Sequence, residues 1–223
     1  MSSTNPFALG GWSNPGNPAS PETPEHRIYA NMPISNLQSA QPFQNYHFIG
    51  TRPSFSTLRF VHARPPAAPG TPVDVLNSVV VDDQTRALLF LSTATNPSTN
   101  TTVTAVTNPQ GAGIGLVEWS LHPFGALAGI FQRQLVSTIL QIRSQTTVAM
   151  VIRGRTYQWA RNPGDSQLYF YDTAFTPPEL LTVVSRETTG LVTVSVSPFV
   201  ATQNLTEAVI FSAALLMSGR PLD

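Results

Sequence analysis

The last stretch of the chain, Asn204 to Gly219, constrains its fold more than any other. Ala208, Val209, Ile210, Phe211, Ala213, Ala214, Leu215, Leu216 and Met217 leave almost no polar face. A helix apolar on all sides must be buried, not laid on a surface. Asn204 reads as its N-cap, Glu207 has capping-box spacing from it, and Gly219 ends the helix. From Leu205 to Ser218 the span is about 21 Å at 1.5 Å per residue, close to the length of a six-residue strand. A membrane span takes roughly 18 apolar residues or more, so this run is too short to be one. It could fill a barrel.

The rest of the chain supplies the wall. After Val73, short runs of Val, Ile, Leu, Thr and aromatics alternate with Gly, Asn, Pro, Asp and Ser turns, the pattern of a meander or barrel. Strands are predicted at Ser78 to Val81, Leu88 to Thr93, Thr101 to Val106, Gly115 to Trp119, Gly129 to Leu135, Thr138 to Ile142, Val148 to Ile152, Thr156 to Trp159, Leu168 to Tyr171, Leu181 to Ser185 and Leu191 to Val196. Asp82-Asp83-Gln84-Thr85 and Arg153-Gly154 read as hairpin turns. A two-residue loop at Arg153-Gly154 pairs Ile152 with Arg155 and turns Val148, Met150, Tyr157 and Trp159 to one face, the core. The expected fold is mainly β: a closed antiparallel barrel of about 12 strands enclosing the C-terminal helix.

Prolines and polar residues mark the limits of that domain. From Met1 to Ala40, Pro6, Pro15, Pro18, Pro21, Pro24 and Pro33 interrupt a Ser/Asn-rich run that cannot offset its ordering entropy by burial. A disordered tail over 1–40 and a single domain over 41–223 are expected, with Pro65, Pro66, Pro69 and Pro72 in a long extended loop or, equally, at a domain margin. With 223 residues, 41% of them apolar, one core suffices. No basic start followed by an apolar core is present near Met1, and the expected location is the cytoplasm.

Charge and residue usage exclude several chemistries. Charged residues are 11% of the chain and its net charge is zero, so no global field gathers nucleic acid or membrane, and nucleic acid is not an expected partner. Every basic residue is Arg, which removes Schiff-base lysines and the P-loop lysine. The absence of Cys removes disulfides, thiolate metal sites and cysteine nucleophiles. His26, His47, His62 and His122 match no metal-binding spacing, and no G-x-S-x-G elbow occurs. Gly111-Ala112-Gly113-Ile114-Gly115 precedes a strand-like run, not the helix a dinucleotide fingerprint needs. Asp82 and Asp83 are turn residues. No catalytic residue, metal or cofactor is expected, and the chain does not read as an enzyme.

Several of these segments, in order, resemble a known group of domains. Val79-Val80-Val81-Asp82-Asp83, Leu88 to Thr93, Val117-Glu118-Trp119, the run Ile152 to Trp159 with its Gly154-Arg155-x-Tyr157-x-Trp159 motif, and the apolar C-terminal helix are similar to fungal domains related to tubby C-terminal and LURP-one proteins. The resemblance covers Val73 to Met217. It implies a closed β-barrel threaded by a hydrophobic helix, like that of phospholipid scramblases. Tubby domains bind phosphoinositide head groups through Lys and Arg, and this chain has no Lys to match. Arg143, Arg153, Arg155 and Arg161, close in sequence around one predicted hairpin, are the substitute, able to offer forked contacts to phosphate. The expectation is a binding or scaffold domain that associates with anionic lipid, peripherally at membranes. The alternative is a protein-interaction module that docks partners through its Pro-rich tail.

Overall fold

The computed structural model describes residues 54–222, apart from 66, 67, 69 and 163–165. The expected tail over 1–40 and the residues 41–53 lie outside the described residues. Ser54–Asp223 falls within one compact unit.

The chain is mainly β. Its strands are β1 (Ser56–His62), β2 (Ser78–Val81), β3 (Ala87–Asn96), β4 (Thr101–Thr107), β5 (Gly113–Trp119), β6 (Phe124–Leu127), β7 (Phe131–Leu135), β8 (Gln141–Ile142), β9 (Thr147–Ile152), β10 (Arg155–Ala160), β11 (Leu168–Asp172), β12 (Glu179–Arg186) and β13 (Val192–Val196). Among the described residues three helices accompany them: α1 (Val136–Ile139) between β7 and β8, and α2 (Pro198–Thr202) and α3 (Thr206–Met217) after β13. All 13 strands form one antiparallel sheet in the order β7-β6-β5-β4-β3-β2-β1-β13-β12-β11-β10-β9-β8. The first and last strands of that order are consecutive in sequence. They do not pair with each other, so hydrogen bonds do not close the sheet. The four-residue α1 connects these two edges instead. Val136 and Ile139 of α1, with Phe211 of α3, approach Gly125 so closely that a Cβ there would lie 3.1 Å from Ile139 and 3.4 Å from Phe211. A side chain at position 125 would have to push these neighbours aside by a few tenths of an ångström, and glycine lets the connecting helix seat against β6.

Every residue of α3 from Ala208 to Met217 is buried. Its apolar surface packs with inward residues of the sheet, among them Phe60, Leu127, Val148, Met150, Trp159, Phe170, Leu181 and Val194. Each such side chain taken from water contributes about 1.5–3 kcal/mol, so the sheet and the helix hold each other. One polar contact orients the pair: Trp159 Nε1 donates to Ser212 Oγ at 3.1 Å, and Ser212 Oγ donates back to the helix at Ala208 O, 2.7 Å.

The Arg153-Gly154 turn has the predicted geometry. Both residues have positive φ, 49° and 79°, and Ile152 pairs with Arg155. Such a turn matches the twist of the strands it joins. Val148, Met150, Tyr157 and Trp159 are all buried on the inward face. Tyr157 stacks on Phe170 at 5.3 Å between centroids, and Trp159 meets the same ring at 4.7 Å.

Two local expectations are corrected. Thr138 to Ile142 is not a strand: α1 occupies its first half, and only Gln141–Ile142 pairs, with β9. Asn204 does not cap α3. It has φ 52°, and Asn204 N donates to Ala201 O while Leu205 N donates to Val200 O. These two bonds close the C-terminus of α2 in a Schellman turn, where Asn tolerates the left-handed conformation. Leu205 then precedes α3 without a side-chain cap.

Candidate functional site

The β9–β10 hairpin carries the four candidate arginines and separates them into two pairs. Arg153 and Arg155 lie at its turn. Arg143 and Arg161 lie at the opposite end, where Arg143 N donates to Thr147 O at 2.9 Å and Arg161 N donates to Thr146 O at 2.9 Å. Arg161 lies six residues beyond Arg155 along the chain, about 20 Å at 3.3 Å per residue. The structure therefore brings together members of each pair, not all four.

Their surroundings differ. Arg143 is exposed, and its Nη2 donates to Gln141 Oε1 at 2.5 Å. Arg153 is exposed, with Nη1 donating to Gln203 O at 3.3 Å, a long contact between the turn and the residues after α2. Arg161 is half-buried, two residues beyond Trp159.

Arg155 is the best defined. Being two residues before Tyr157 on the same strand, it falls on the inward face at the mouth of the sheet. Its Nη2 forms an ion pair with Asp172 Oδ2, whose side chain is fully buried. Asp172 is set by its own strand end, opposite Tyr157, and its Oδ1 accepts from Ala174 N at 2.9 Å. The guanidinium lies over two aromatic rings, 5.3 Å from the centroid of Phe175 and 5.4 Å from that of Phe199. Pairing with Asp172 holds its pKa above the ordinary Arg range, and Glu179 adds to that shift through its charge. Burial pushes the Tyr157 phenol up, so the neighbour stays neutral.

Beside Arg155 the surface opens into a cleft of about 660 Å3 lined by Gly154, Arg155, Thr156, Thr173, Ala174 and Phe175. A third of the Arg155 side chain is exposed there, at 35%. Its Nε makes no hydrogen bond. Thr173 Oγ1 donates to Thr156 O at 2.8 Å and fixes the cleft wall. Phe175, 46% exposed, forms the rim.

Sequence reasoning missed Asp172, Phe175 and Phe199. The alternation Leu168, Phe170, Asp172 was the available signal, because it turns the carboxylate inward toward the strand that carries Arg155. The two phenylalanines lie in loop and short helix, where periodicity carries no information.

The other singled-out residues have structural places. Asp82 Oδ1 accepts from Gln84 N and Arg86 N, each at 2.9 Å, within the β2–β3 turn. Gly111 to Gly115 spans the β4–β5 turn and the start of β5, followed by strand. The His62 ring meets Thr71 O at 3.0 Å, and His122 contributes its carbonyl to Ser120 Oγ at 2.6 Å. His26 and His47 lie outside the described residues. No helix among the described residues is long and apolar enough to cross a membrane. No family model, curated protein or solved structure matches the chain.

Proposed function

We propose that the chain is a non-enzymatic binding domain of tubby/LURP-one type, a barrel in which α1 stands in place of the last strand pairing, and that it associates peripherally with anionic phospholipid head groups from the cytoplasm. The observation that carries this reading is the filled interior. α3 and the inward side chains occupy the space a barrel offers to a substrate, which leaves binding to the surface and the strand ends. Both ends of the β9–β10 hairpin carry arginines, and Arg is the side chain whose planar fork suits phosphate. The Pro-rich tail, the docking element of the protein-interaction alternative, lies outside the described residues.

Flotation with phosphatidylcholine vesicles, alone and with an added fraction of phosphatidylserine or phosphatidic acid, tests it. The protein is expected to float only with anionic vesicles. Arg153→Ala/Arg155→Lys and Arg143→Ala/Arg161→Ala then report which end binds. No flotation with any anionic vesicle would remove the lipid reading.

A further inference from the structure

We infer that the cleft at Arg155 is a subsite for one anionic group, a phosphate monoester or a carboxylate, with Arg155 as the ligand-binding residue and Asp172 as the residue that positions it. This rests on the binding-domain reading above and names the chemistry of its site.

Asp172 is fully buried, and a carboxylate taken that far from water is costly to keep without an opposite charge beside it. It is met by a guanidinium that also lies against two aromatic rings, 5.3 Å from the centroid of Phe175 and 5.4 Å from that of Phe199. A surface arginine ordinarily samples many rotamers. Here the pair and the two rings fix the plane of the fork in advance, and a pre-oriented donor loses less freedom on binding. Asp172 engages Nη2. Nε is buried and makes no hydrogen bond, so the donors left for a ligand are those on Nη1, which makes none with the described residues, and about a third of the side chain is exposed beside the cleft. Arginine has five N–H donors and no acceptor, so what those donors take is an oxygen, and a charged oxygen binds most strongly.

The charge balance refines the class of ligand. Asp172 and Glu179 both act on Arg155 at this end, so the cleft is not a broad positive field. Recognition by directed hydrogen bonds suits a single compact anionic group. The exposed Phe175 rim leaves room for an apolar or aromatic body behind that group.

The experiment is titration of the folded full-length chain with inorganic phosphate and, separately, acetate, followed by the arginine Nε–Hε signals and the backbone amides of the cleft in 15N NMR. A parallel arm uses the anionic vesicles. In the wild type the Arg155 Nε–Hε signal and the backbone amides of Gly154, Thr156 and Thr173 are expected to shift saturably with at least one of the two anions; Arg155→Lys is expected to abolish saturation of the amide shifts, while Arg133→Ala, which removes the outer-surface partner of Glu118, leaves it unchanged. Asp172→Asn supplies the decisive contrast. Removing a negative charge should strengthen anion binding if Coulomb attraction alone acts, whereas loss of positioning should weaken it about tenfold, the equivalent of one charge-assisted hydrogen bond. Circular dichroism confirms that each variant is folded. Absence of a saturable shift at Arg155 with either anion, or tighter binding by folded Asp172→Asn, overturns the proposal. Vesicle flotation unaffected by Arg155→Lys would overturn this subsite and leave the lipid reading standing. Saturation by phosphate or acetate without flotation would do the reverse.

Discussion

The middle and the tip of the β9–β10 hairpin obey the same alternation and meet opposite demands. Met150, Tyr157 and Trp159 point inward against α3 and gain from losing water. Arg155 points inward too, one step further along, and would lose by it. What reconciles the tip is a distant residue, Asp172, with the open cleft letting part of the guanidinium remain wet. Strand geometry fixes only the direction of a side chain. Whether that direction is favourable depends on what other elements bring to it.

The largest expected effect comes from giving the middle the problem of the tip without its solution. Leu215→Asp places a carboxylate inside the sheet with no partner, and it is expected to abolish folding, read as loss of far-UV circular dichroism and of soluble protein. A folded, soluble Leu215→Asp protein would mean that α3 lies outside the sheet.

At the tip, the two halves of the ion pair are expected to differ. Arg155→Ala strands the fully buried Asp172 and should cost about 3 kcal/mol in urea denaturation. Asp172→Asn strands an arginine that reaches solvent, and should cost less, about 1–2 kcal/mol. Equal costs would show that solvent does not relieve Arg155.

Back in the middle, Ser212→Ala removes the acceptor of Trp159 Nε1. With that indole fully buried, the expected cost is about 1–3 kcal/mol, accompanied by a change in tryptophan fluorescence. A neutral substitution would indicate that water or another group serves the indole.

The smallest effect belongs to the outer surface, where Arg133 donates to Glu118 Oε1 at 3.1 Å and Oε2 at 2.5 Å. The bonds from Arg133 outweigh partial desolvation and hold the Glu118 carboxyl below its ordinary 4.5. Because its folded pKa is depressed, the stability it contributes is complete above 4.5 and disappears as the pH falls through the lowered value. The difference in Tm between wild type and Glu118→Gln is therefore expected above pH 5 and should vanish in acid. A difference that grows in acid would reverse the sign.

Much of this organisation was legible in the residues. The uniform apolarity of Ala208 to Met217 marks a buried helix, and a two-residue turn at Arg153-Gly154 sets the hairpin register from local sequence alone. Elements that answer to distant partners were not legible. Phe124–Leu127 is a strand because β5 and β7 flank it, and Thr138 to Ile142 looks β-branched and strand-like yet begins in α1, where Ile139 fills the space left by Gly125. Asn204 offered a capping signal that two helices could use, and the preceding one takes it. In the site, the arginines were visible as a cluster in sequence, but the hairpin that gathers them in the chain separates them in space. Asp172, which gives Arg155 its fixed position, gave no sign beyond its parity with Phe170.

The central claim is that α3 is enclosed by the sheet, and hydrogen–deuterium exchange of its backbone amides tests it most directly. An enclosed helix can exchange only when the sheet opens, so the amides of Ile210 to Met217 are expected among the slowest in the protein, with protection equal to the global stability from denaturation. Rapid exchange of these amides, well ahead of β10 and β11, would contradict enclosure and the account built on it.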